Sequence, residues 1–413
     1  MKLDYFYIDP GTGSMLFTVL IGLISAGIYA IRGLLIKLKF FGGKKSKNDS
    51  NDYIPYVIYA DNKRYFNIFE PIINEFEKRK ISLTYMTSSK DDKCFDKKYK
   101  YIKCEFIGEG NKAFAKLNML KADILFSTTP GLDVYQWKRS RDVKYYIHIP
   151  HAASDITVYR MFGIDYYDAI ILSGDYQVDQ IRKLEELRNL PNKELKVLGI
   201  PYMDEMKKRL DSNQSSKKEK DIQILVAPSW GESAILKKFG SKIIDELLKT
   251  GYKVVVRPHP QSFISEKEMI EELMNKYPNV EWNRDVDNFD VLNDSDILIS
   301  DFSGVMFDFA LVYDKPIIYA DTSFDSAPYD AAWIDEELWT FRVLPSIGKQ
   351  LTEDNMSNIK GVIDECLKES KYKEGRDKAR EETWANIGSS SKLIADYLIN
   401  KHKEITETKN DNK

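Results

Sequence analysis

Short apolar runs alternate with amphipathic segments along residues 53–205. The runs are rich in β-branched and aromatic residues, which is typical of strands, and the intervening segments repeat apolar residues at helical spacing. We predict strands at 53–60, 81–87, 99–106, 123–127, 143–149, 168–173 and 195–198, with helices at 65–79, 111–120 and 175–190. Strands that alternate with helices in this way favour a parallel sheet covered by helices on both faces.

A second series of the same kind follows a charged, serine-containing break at 207–221. Its predicted strands are 222–227, 253–257, 280–282, 296–300 and 316–320, its helices are 233–248, 266–277 and 304–313, and a charged helical stretch runs from about 359 to 403. The pattern predicts an α/β chain of two Rossmann-like, doubly wound domains, at 53–205 and 221–370, followed by a helical tail at 371–413. Such domains bind ligands at the carboxyl ends of their strands, so we expect a site in the cleft between them.

Residues 15–31 form an uncharged apolar run of about 17 residues, which is the lower limit for a helix that crosses a bilayer. Asp4 and Asp9 precede the run, and lysines and arginines follow it at 32–47, which reverses the order found in a signal peptide. The positive-inside rule then predicts a single-pass anchor at 1–41, with the rest of the chain in the cytoplasm. A cleaved signal peptide, a buried core helix and a helix on the membrane surface are the alternatives.

Composition narrows the class of protein. The 413 residues carry 61 Lys+Arg and 64 Asp+Glu, a net charge of −3, which argues against a general nucleic-acid binder. The mean hydropathy of −0.42 excludes a polytopic membrane protein but leaves room for one span. Cys94, Cys104 and Cys366 are scattered, without a C-x-x-C pair, which is typical of free thiols in a reducing compartment.

Histidines are few, four in all, and three of them lie in or just after predicted strands. His151 follows the strand at 143–149 in a loop that also holds Asp155, so it is a candidate general base. A structural histidine bonded to the backbone is the alternative. His148 lies inside the strand, which favours a structural role. His402 lies in the charged tail and is predicted to be solvated.

Polar groups also follow strands of the second domain. Arg257 and His259 come directly after the strand at 253–257, in an Arg-Pro-His-Pro segment. A forked arginine donor and an imidazole held between prolines suit a diphosphate, and a turn with solvated charges is the alternative. Asp301, Ser303 and Gly304 follow the strand at 296–300, where free N–H groups at a helix start suit a phosphate; Ser303 also suits a helix cap.

The first strand of the second domain ends in the same fashion, at Ser229 and Trp230. Trp230 is predicted to pack in the core rather than against a base. The sequence contains no Walker loop, no G-x-S-x-G elbow and no cluster of metal ligands, so we predict neither a metal nor a cofactor.

The order of these segments resembles the CDP-glycerol glycerophosphotransferases of teichoic acid synthesis. The likeness covers about residues 140–325 and rests on Pro228-Ser-Trp230, Arg257-Pro-His-Pro260, the segment 300–309 and Lys315-Pro-Ile-Ile-Tyr319. The resemblance implies the GT-B fold, with the nucleotide in the C-terminal domain. It also implies roles for matching residues: His151 as base for the acceptor hydroxyl, Arg257 and His259 on the diphosphate, and Asp301 and Ser303 near the phosphate.

Two segments depart from that family's pattern. The family's His-Gly-Thr loop, followed by a Lys, reads His151-Ala-Ala-Ser-Asp155 here, and the second Ser of its D-Y-S-S motif is Gly304. Both positions lie close to substrate in the family. They therefore bear on the acceptor and the donated polyol more than on the type of reaction.

We therefore expect a membrane-anchored transferase on the cytoplasmic side of the cell membrane. It would move glycerol phosphate, or a related polyol phosphate, from a CDP-activated donor to a hydroxyl of a lipid-linked cell-wall or surface polymer. The predicted catalytic residues are His151 and His259, and the predicted donor-binding residues are Arg257, His259, Asp301, Ser303, Gly304 and Ser229. A GT-B glycosyltransferase that uses a nucleotide sugar and a non-catalytic membrane-bound scaffold are the alternatives.

Overall fold

The computed structural model describes residues 53–213, 221–285, 287–301, 303–320 and 324–411, together with residues 19, 21–24, 27 and 31 near the N-terminus. Met1–Asp52 and Tyr53–Lys413 are separate units. The described residues of the first unit are helical, and the side chain of Leu23 is 66% exposed. No helix among the described residues is long and apolar enough to cross a membrane. Most of the predicted anchor lies outside those residues, so it stays a prediction.

The first sheet has seven parallel strands in the order β3-β2-β1-β4-β5-β6-β7. The strands are β1 Ile54–Ala60, β2 Leu83–Thr87, β3 Ile102–Phe106, β4 Ala122–Ser127, β5 Val143–His148, β6 Ala169–Leu172 and β7 Glu194–Val197. All residues of β4 and β6 are buried, as expected of strands covered by helices on both faces. Chain order reverses between β1 and β4, which opens a crevice at their carboxyl ends.

The second sheet repeats this topology with six parallel strands in the order β10-β9-β8-β11-β12-β13. They are β8 Gln223–Val226, β9 Lys253–Val256, β10 Glu281–Trp282, β11 Ile297–Ser300, β12 Ile317–Ala320 and β13 Gly348–Leu351. The prediction of two doubly wound parallel sheets is therefore confirmed. Only β13 was not predicted, because its sequence is short and mixed. It pairs closely with β12: a β-carbon on Gly348 would lie 2.3 Å from the carbonyl oxygen of Ile317.

Helices cover both sheets. They are α1 Phe66–Lys78, α2 Asn111–Leu117, α3 Tyr176–Arg188, α4 Pro201–Ser212, α5 Ile235–Phe239, α6 Ser241–Leu248, α7 Ser262–Ser265, α8 Lys267–Lys276, α9 Phe289–Asp294, α10 Val305–Phe307, α11 Trp339–Ile347, α12 Ile359–Lys368, α13 Lys371–Thr383 and α14 Ser390–Asp411. The helix predicted at 304–313 is irregular, since α10 passes into a π-helical turn at Asp308–Val312. The predicted C-terminal helical stretch is divided into α12, α13 and α14.

The last helix returns to the first sheet. His402 Nε2 lies 3.1 Å from Asp123 Oδ2, and its ring packs against Tyr56 at 4.8 Å between centroids. Arg79, directly after α1, donates to Asp396 on α14 at 2.6 Å. The prediction that His402 is solvated is therefore wrong, because the tail folds back and buries one face of α14 against the first sheet's helices.

The segment after β12 joins the two halves of the Tyr53–Lys413 unit. Arg188 on α3 is buried, and it donates to Asp165 at 2.7 Å and to Asp330 at 2.5 Å. Its guanidinium lies over the rings of Phe162 and Trp333, at 4.8 and 5.0 Å from their centroids. Charge pairing and cation–π contact together tie the two sheets across one end of the cleft.

Candidate active site

A cavity of about 680 Å³ lies between the carboxyl ends of the two sheets. Its walls come from the loops after β1, β4 and β5 on one side and after β8, β9 and β11 on the other. Of the predicted site residues, His151, His259 and Gly304 line it. The two histidines, 108 positions apart in the chain by numbering, thus face one space from the ends of two different sheets.

His151 lies in the loop that follows β5 and is exposed to the cavity. Its Nδ1 is hydrogen-bonded to the hydroxyl of Tyr159 at 3.2 Å, which leaves Nε2 available to a ligand. Desolvation within the cleft, followed by the charges of Arg64 and His259, lowers the pKa of His151 to about 4. The imidazole is therefore neutral at pH 7 and can accept a proton at Nε2.

Asp155, which the sequence places near His151, serves another purpose. Its carboxylate is buried and accepts the backbone N–H groups of Trp339 at 2.9 Å and Thr340 at 2.7 Å. It therefore caps the start of α11 and joins the loop after β5 to that helix, and Tyr159 is the hydrogen-bond partner of His151 instead.

His259 is held between Pro258 and Pro260 in the turn after β9. Its Nδ1 accepts the backbone N–H of Gln261 at 3.1 Å, so the proton of the neutral ring is on Nε2. Burial, and secondarily the charge of Arg64, lowers its pKa to about 4. His259 thus presents a hydrogen-bond donor rather than a base.

Trp230 lies beside His259, with 6.4 Å between the ring centroids, and is 45% exposed. It lines the cavity, so the prediction that it packs in the core is wrong. In the loop after β8, Ser229 is buried and the side chain of the next residue, Trp230, points outward.

Asp301 holds the loop after β8 in place from the interior. Its buried carboxylate accepts the backbone N–H of Ser229 at 2.9 Å and that of Ile235 at 3.0 Å. It therefore fixes the loop after β8 and does not line the cavity. Ser229 is also buried, and its hydroxyl has no hydrogen-bond partner among the described residues.

Arg257 is turned away from the histidines. Its guanidinium donates to the side chain of Asn283 and to the backbone oxygen of Asp285, the latter at 2.8 Å. It lines a separate cavity of about 380 Å³ beside β9. Ser303 is half-buried, and its carbonyl oxygen accepts the N–H of Met306 at 3.1 Å. The structure therefore does not bring Arg257, Asp301, Ser229 or Ser303 to the central cavity.

Arg64 lines the cavity and was not predicted as a site residue. It follows β1 in a turn capped by Asn62, whose side chain accepts the N–H of Arg64 at 3.1 Å. Its guanidinium donates to the hydroxyl of Tyr65 at 2.7 Å. The sequence could have indicated Arg64, because it follows a predicted strand closely, as His151 does.

His148 occupies the interior beneath this site. It is fully buried, its ring contacts Tyr159 and Tyr167 at 5.3 and 4.9 Å between centroids, and its two nitrogens have no hydrogen-bond partner among the described residues. Burial lowers its pKa to about 3, so it is neutral. These contacts support the structural role expected from its position inside β5.

No group of three or more His, Cys, Asp and Glu side chains is placed to hold a metal ion in the part of the chain that the structure describes. The charged or titratable side chains that line the cavity include the two neutral imidazoles, the guanidinium groups of Arg64 and Arg160, and the carboxylate of Asp308. This set can accept a proton, donate hydrogen bonds to a phosphate and bind hydroxyl groups.

The part of the sequence that contains this site matches a known protein family. The model of the family CDP-Glycerol:Poly(glycerophosphate) glycerophosphotransferase matches residues 59–335, which include the loops of both histidines. The chain therefore belongs to this family of transferases, and the resemblance seen in the sequence is confirmed. The teichoic acid glycerol-phosphate primase of Bacillus spizizenii is 28% identical over 165 residues, which cover 37% of this chain and 40% of that protein. The match thus spans less than half of the curated relative.

Solved structures share the fold. The wall teichoic acid polymerase TagF superposes with a TM-score of 0.54 at 18% identity, over 87% of this chain and 92% of that one. A TagF variant soaked with CDPG gives 0.55 at 16% identity, over 94% and 99%. UDP-GlcNAc 2-epimerase from Neisseria meningitidis gives 0.52 at 12% identity, over 84% and 100%. These likenesses confirm the predicted GT-B-like α/β fold.

Proposed function

We propose that this protein transfers glycerol phosphate, or a related polyol phosphate, from a CDP-activated donor to a hydroxyl of a lipid-linked surface polymer. The observation that carries this proposal is the pair of neutral histidines facing one cavity from opposite domains. Their hydrogen bonds differ, so one is suited to accept a proton and the other to donate a hydrogen bond.

His151 acts as the general base in this mechanism. Its Nε2 takes the proton of the acceptor hydroxyl, and the oxygen attacks the phosphorus that carries the glyceryl group. The hydrogen bond with Tyr159 holds the ring. We assign the proton of the neutral ring to Nδ1, which donates it to that hydroxyl, so that Nε2 is unprotonated before the reaction. The new P–O bond forms as the bond from that phosphorus to the bridging oxygen breaks, and CMP leaves.

His259 stabilises the charge that develops on the leaving phosphate. Its Nε2 carries the proton, because Nδ1 accepts the N–H of Gln261. Arg64 adds a positive charge that acts on both histidines. A fixed donor and a nearby cation in a cleft favour a phosphate that gains charge in the transition state.

The cytoplasmic membrane is the proposed location. The apolar run at 15–31 and the basic residues after it support an anchor with the transferase domains on the cytoplasmic side. Anchoring confines the enzyme and a lipid-linked acceptor to one plane and so raises their effective concentration. The basic stretch also suits anionic headgroups.

Labelled CDP-glycerol tests the proposal directly. The full chain in its native membranes is expected to incorporate label into lipid-linked polymer, and His151→Ala is expected to lower the rate by a factor of about 10²–10⁴. His259→Ala is expected to lower it by about 10²–10³. His402→Gln is the matched control, because His402 lies on α14 against Asp123 and outside the cavity.

Two results would contradict the proposal. Equal incorporation by the wild type and both cavity variants would remove the assigned mechanism. Transfer from UDP-sugars, with none from CDP-glycerol, would replace the donor by a nucleotide sugar and make the protein a glycosyltransferase.

A further inference from the structure

A half-buried carboxylate lines the same cavity as the two histidines. Asp308 is the first residue of the π-helical turn, and its N–H donates to the carbonyl oxygen of Gly304 at 3.4 Å, one turn earlier. The hydroxyl of Tyr202, at the start of α4, donates to Asp308 Oδ1 at 2.7 Å. Both side chains line the cavity. π turns within helices are frequent at functional sites.

The negative charge of Asp308 is not balanced by an ion pair with any of the described residues. Burial raises its pKa to about 6, and the hydrogen bond from Tyr202 acts in the opposite direction. At pH 7 the carboxylate is mostly ionised, and it forms no ion pair with any side chain in the described part of the chain. Partial burial of an unpaired charge costs free energy. A ligand that supplies hydrogen-bond donors would offset that cost.

The chemistry of the cavity indicates which part of a ligand this would be. A carboxylate accepts hydrogen bonds from hydroxyl groups and repels phosphate. Arg64, His151 and His259, in contrast, present groups that suit a phosphate or take part in proton transfer. The cavity thus offers separate places for a phosphate and for hydroxyl groups, as a polyol phosphate requires.

We infer that Asp308, oriented by Tyr202, binds hydroxyl groups of the polyol in the cavity. The polyol is either the glyceryl group of the donor or the terminal unit of the acceptor, and this inference rests on the proposed function. Tyr202 is a positioning residue: its hydroxyl holds Oδ1, and the backbone of Ala153, two residues after His151, also interacts with it. The hydroxyl-binding carboxylate and the loop of the base are thereby held in one network.

Asp308→Asn tests the inference in two arms with the full chain. In the donor arm, CDP-glycerol is expected to raise the melting temperature of the wild type more than CDP does, and the variant is expected to show equal shifts. In the acceptor arm, the KM for an oligomer that ends in glycerol is measured at saturating donor. If Asp308 binds the glyceryl group of the donor, the affinity for CDP-glycerol is expected to fall by about tenfold to a hundredfold; if it binds the acceptor, the affinity for the oligomer is expected to fall by that factor. The reason is that a hydrogen bond to a charged group is removed.

Matched variants separate binding from folding. Tyr202→Phe is expected to weaken the same arm by about threefold to tenfold, since it removes a neutral donor that orients the carboxylate. Tyr313→Phe is the control, because its hydroxyl donates to the carbonyl of Phe289 and does not line the cavity. Asp308→Asn is expected to melt no lower than the wild type, because the substitution removes a half-buried charge.

The outcomes are distinguishable. Asp308→Asn with an unchanged difference between CDP-glycerol and CDP, and an unchanged acceptor KM, would overturn this inference alone. A wild type that binds CDP-glycerol better than CDP through Asp308, yet transfers no glycerol phosphate, would overturn the proposed function and leave the inference standing. A wild type that shows neither a preference for CDP-glycerol nor saturation by the acceptor would overturn both.

Discussion

Ala152, after β5, and Gly304, after β11, face each other across the cavity: a β-carbon placed on Gly304 would lie 3.1 Å from the β-carbon of Ala152. These are the positions at which the sequence departs from the family's His-Gly-Thr and D-Y-S-S motifs. A methyl group is present on one side where the other side has none. The two departures, which are far apart in the sequence, therefore lie in contact at the cavity wall.

Gly304→Ser is expected to destabilise the protein by about 1–3 kcal/mol, because the new side chain meets Ala152 in a packed contact. The double variant Ala152→Gly with Gly304→Ser is expected to recover most of that loss. Urea unfolding of the wild type, both single variants and the double variant gives the coupling energy. Strictly additive effects would show that the two positions do not share this space.

The pH dependence of turnover is expected to follow His151. Since desolvation and then the charges of Arg64 and His259 lower its pKa to about 4, the base stays unprotonated from pH 8 down to about 5. The acidic limb of kcat/KM is therefore expected near pH 4. Arg64→Gln removes a positive charge, so the limb should move to higher pH, whereas Lys63→Gln, whose cation pairs with Asp91, should leave it in place. A limb that is identical in both variants would show that Arg64 does not act on the base.

Stability is expected to fall as the solution is made more acidic, in part through His148. Its folded pKa of about 3 lies below the ordinary value of 6.5, so the unfolded chain binds the proton first as pH falls. The free energy of unfolding should therefore decrease from about pH 6.5 downwards, with this group contributing roughly 2 kcal/mol between pH 7 and pH 5. His148→Gln removes the titration and should flatten the profile by that amount. Urea unfolding at the two pH values measures it, and an equally steep profile in the variant would contradict the assignment.

The buried Arg188 is expected to be important for stability. Arg188→Leu leaves the carboxylates of Asp165 and Asp330 buried without their cation, so we expect a loss of about 3–5 kcal/mol. Arg182→Leu on the same helix is the control, because Arg182 is 39% exposed and pairs with Glu185. Thermal and urea unfolding provide the comparison, and similar losses in the two variants would argue against a special role for the buried cluster.

The hydrophobic pattern predicts the two parallel sheets and places both histidines directly after strands. Runs such as 123–127 and 296–300 are apolar on both faces, and only strands covered on both sides use such runs. Topology then brings the carboxyl ends of the strands together, so residues that directly follow strands, among them His151 and His259, reach the same cavity.

Contacts between residues distant in the chain select the polar side chains that face that cavity. Arg257 is diverted by Asn283 and Asp285, and Asp301 is buried by the N–H groups of the loop it anchors. Asp308 lines the cavity because it lies in a π-helical turn, and Tyr202 lines it from the first turn of a helix that was not predicted. Hydrophobic periodicity reports which face of an element is buried, but side-chain direction depends on partners that are distant in the chain, and these are set when the domains pack.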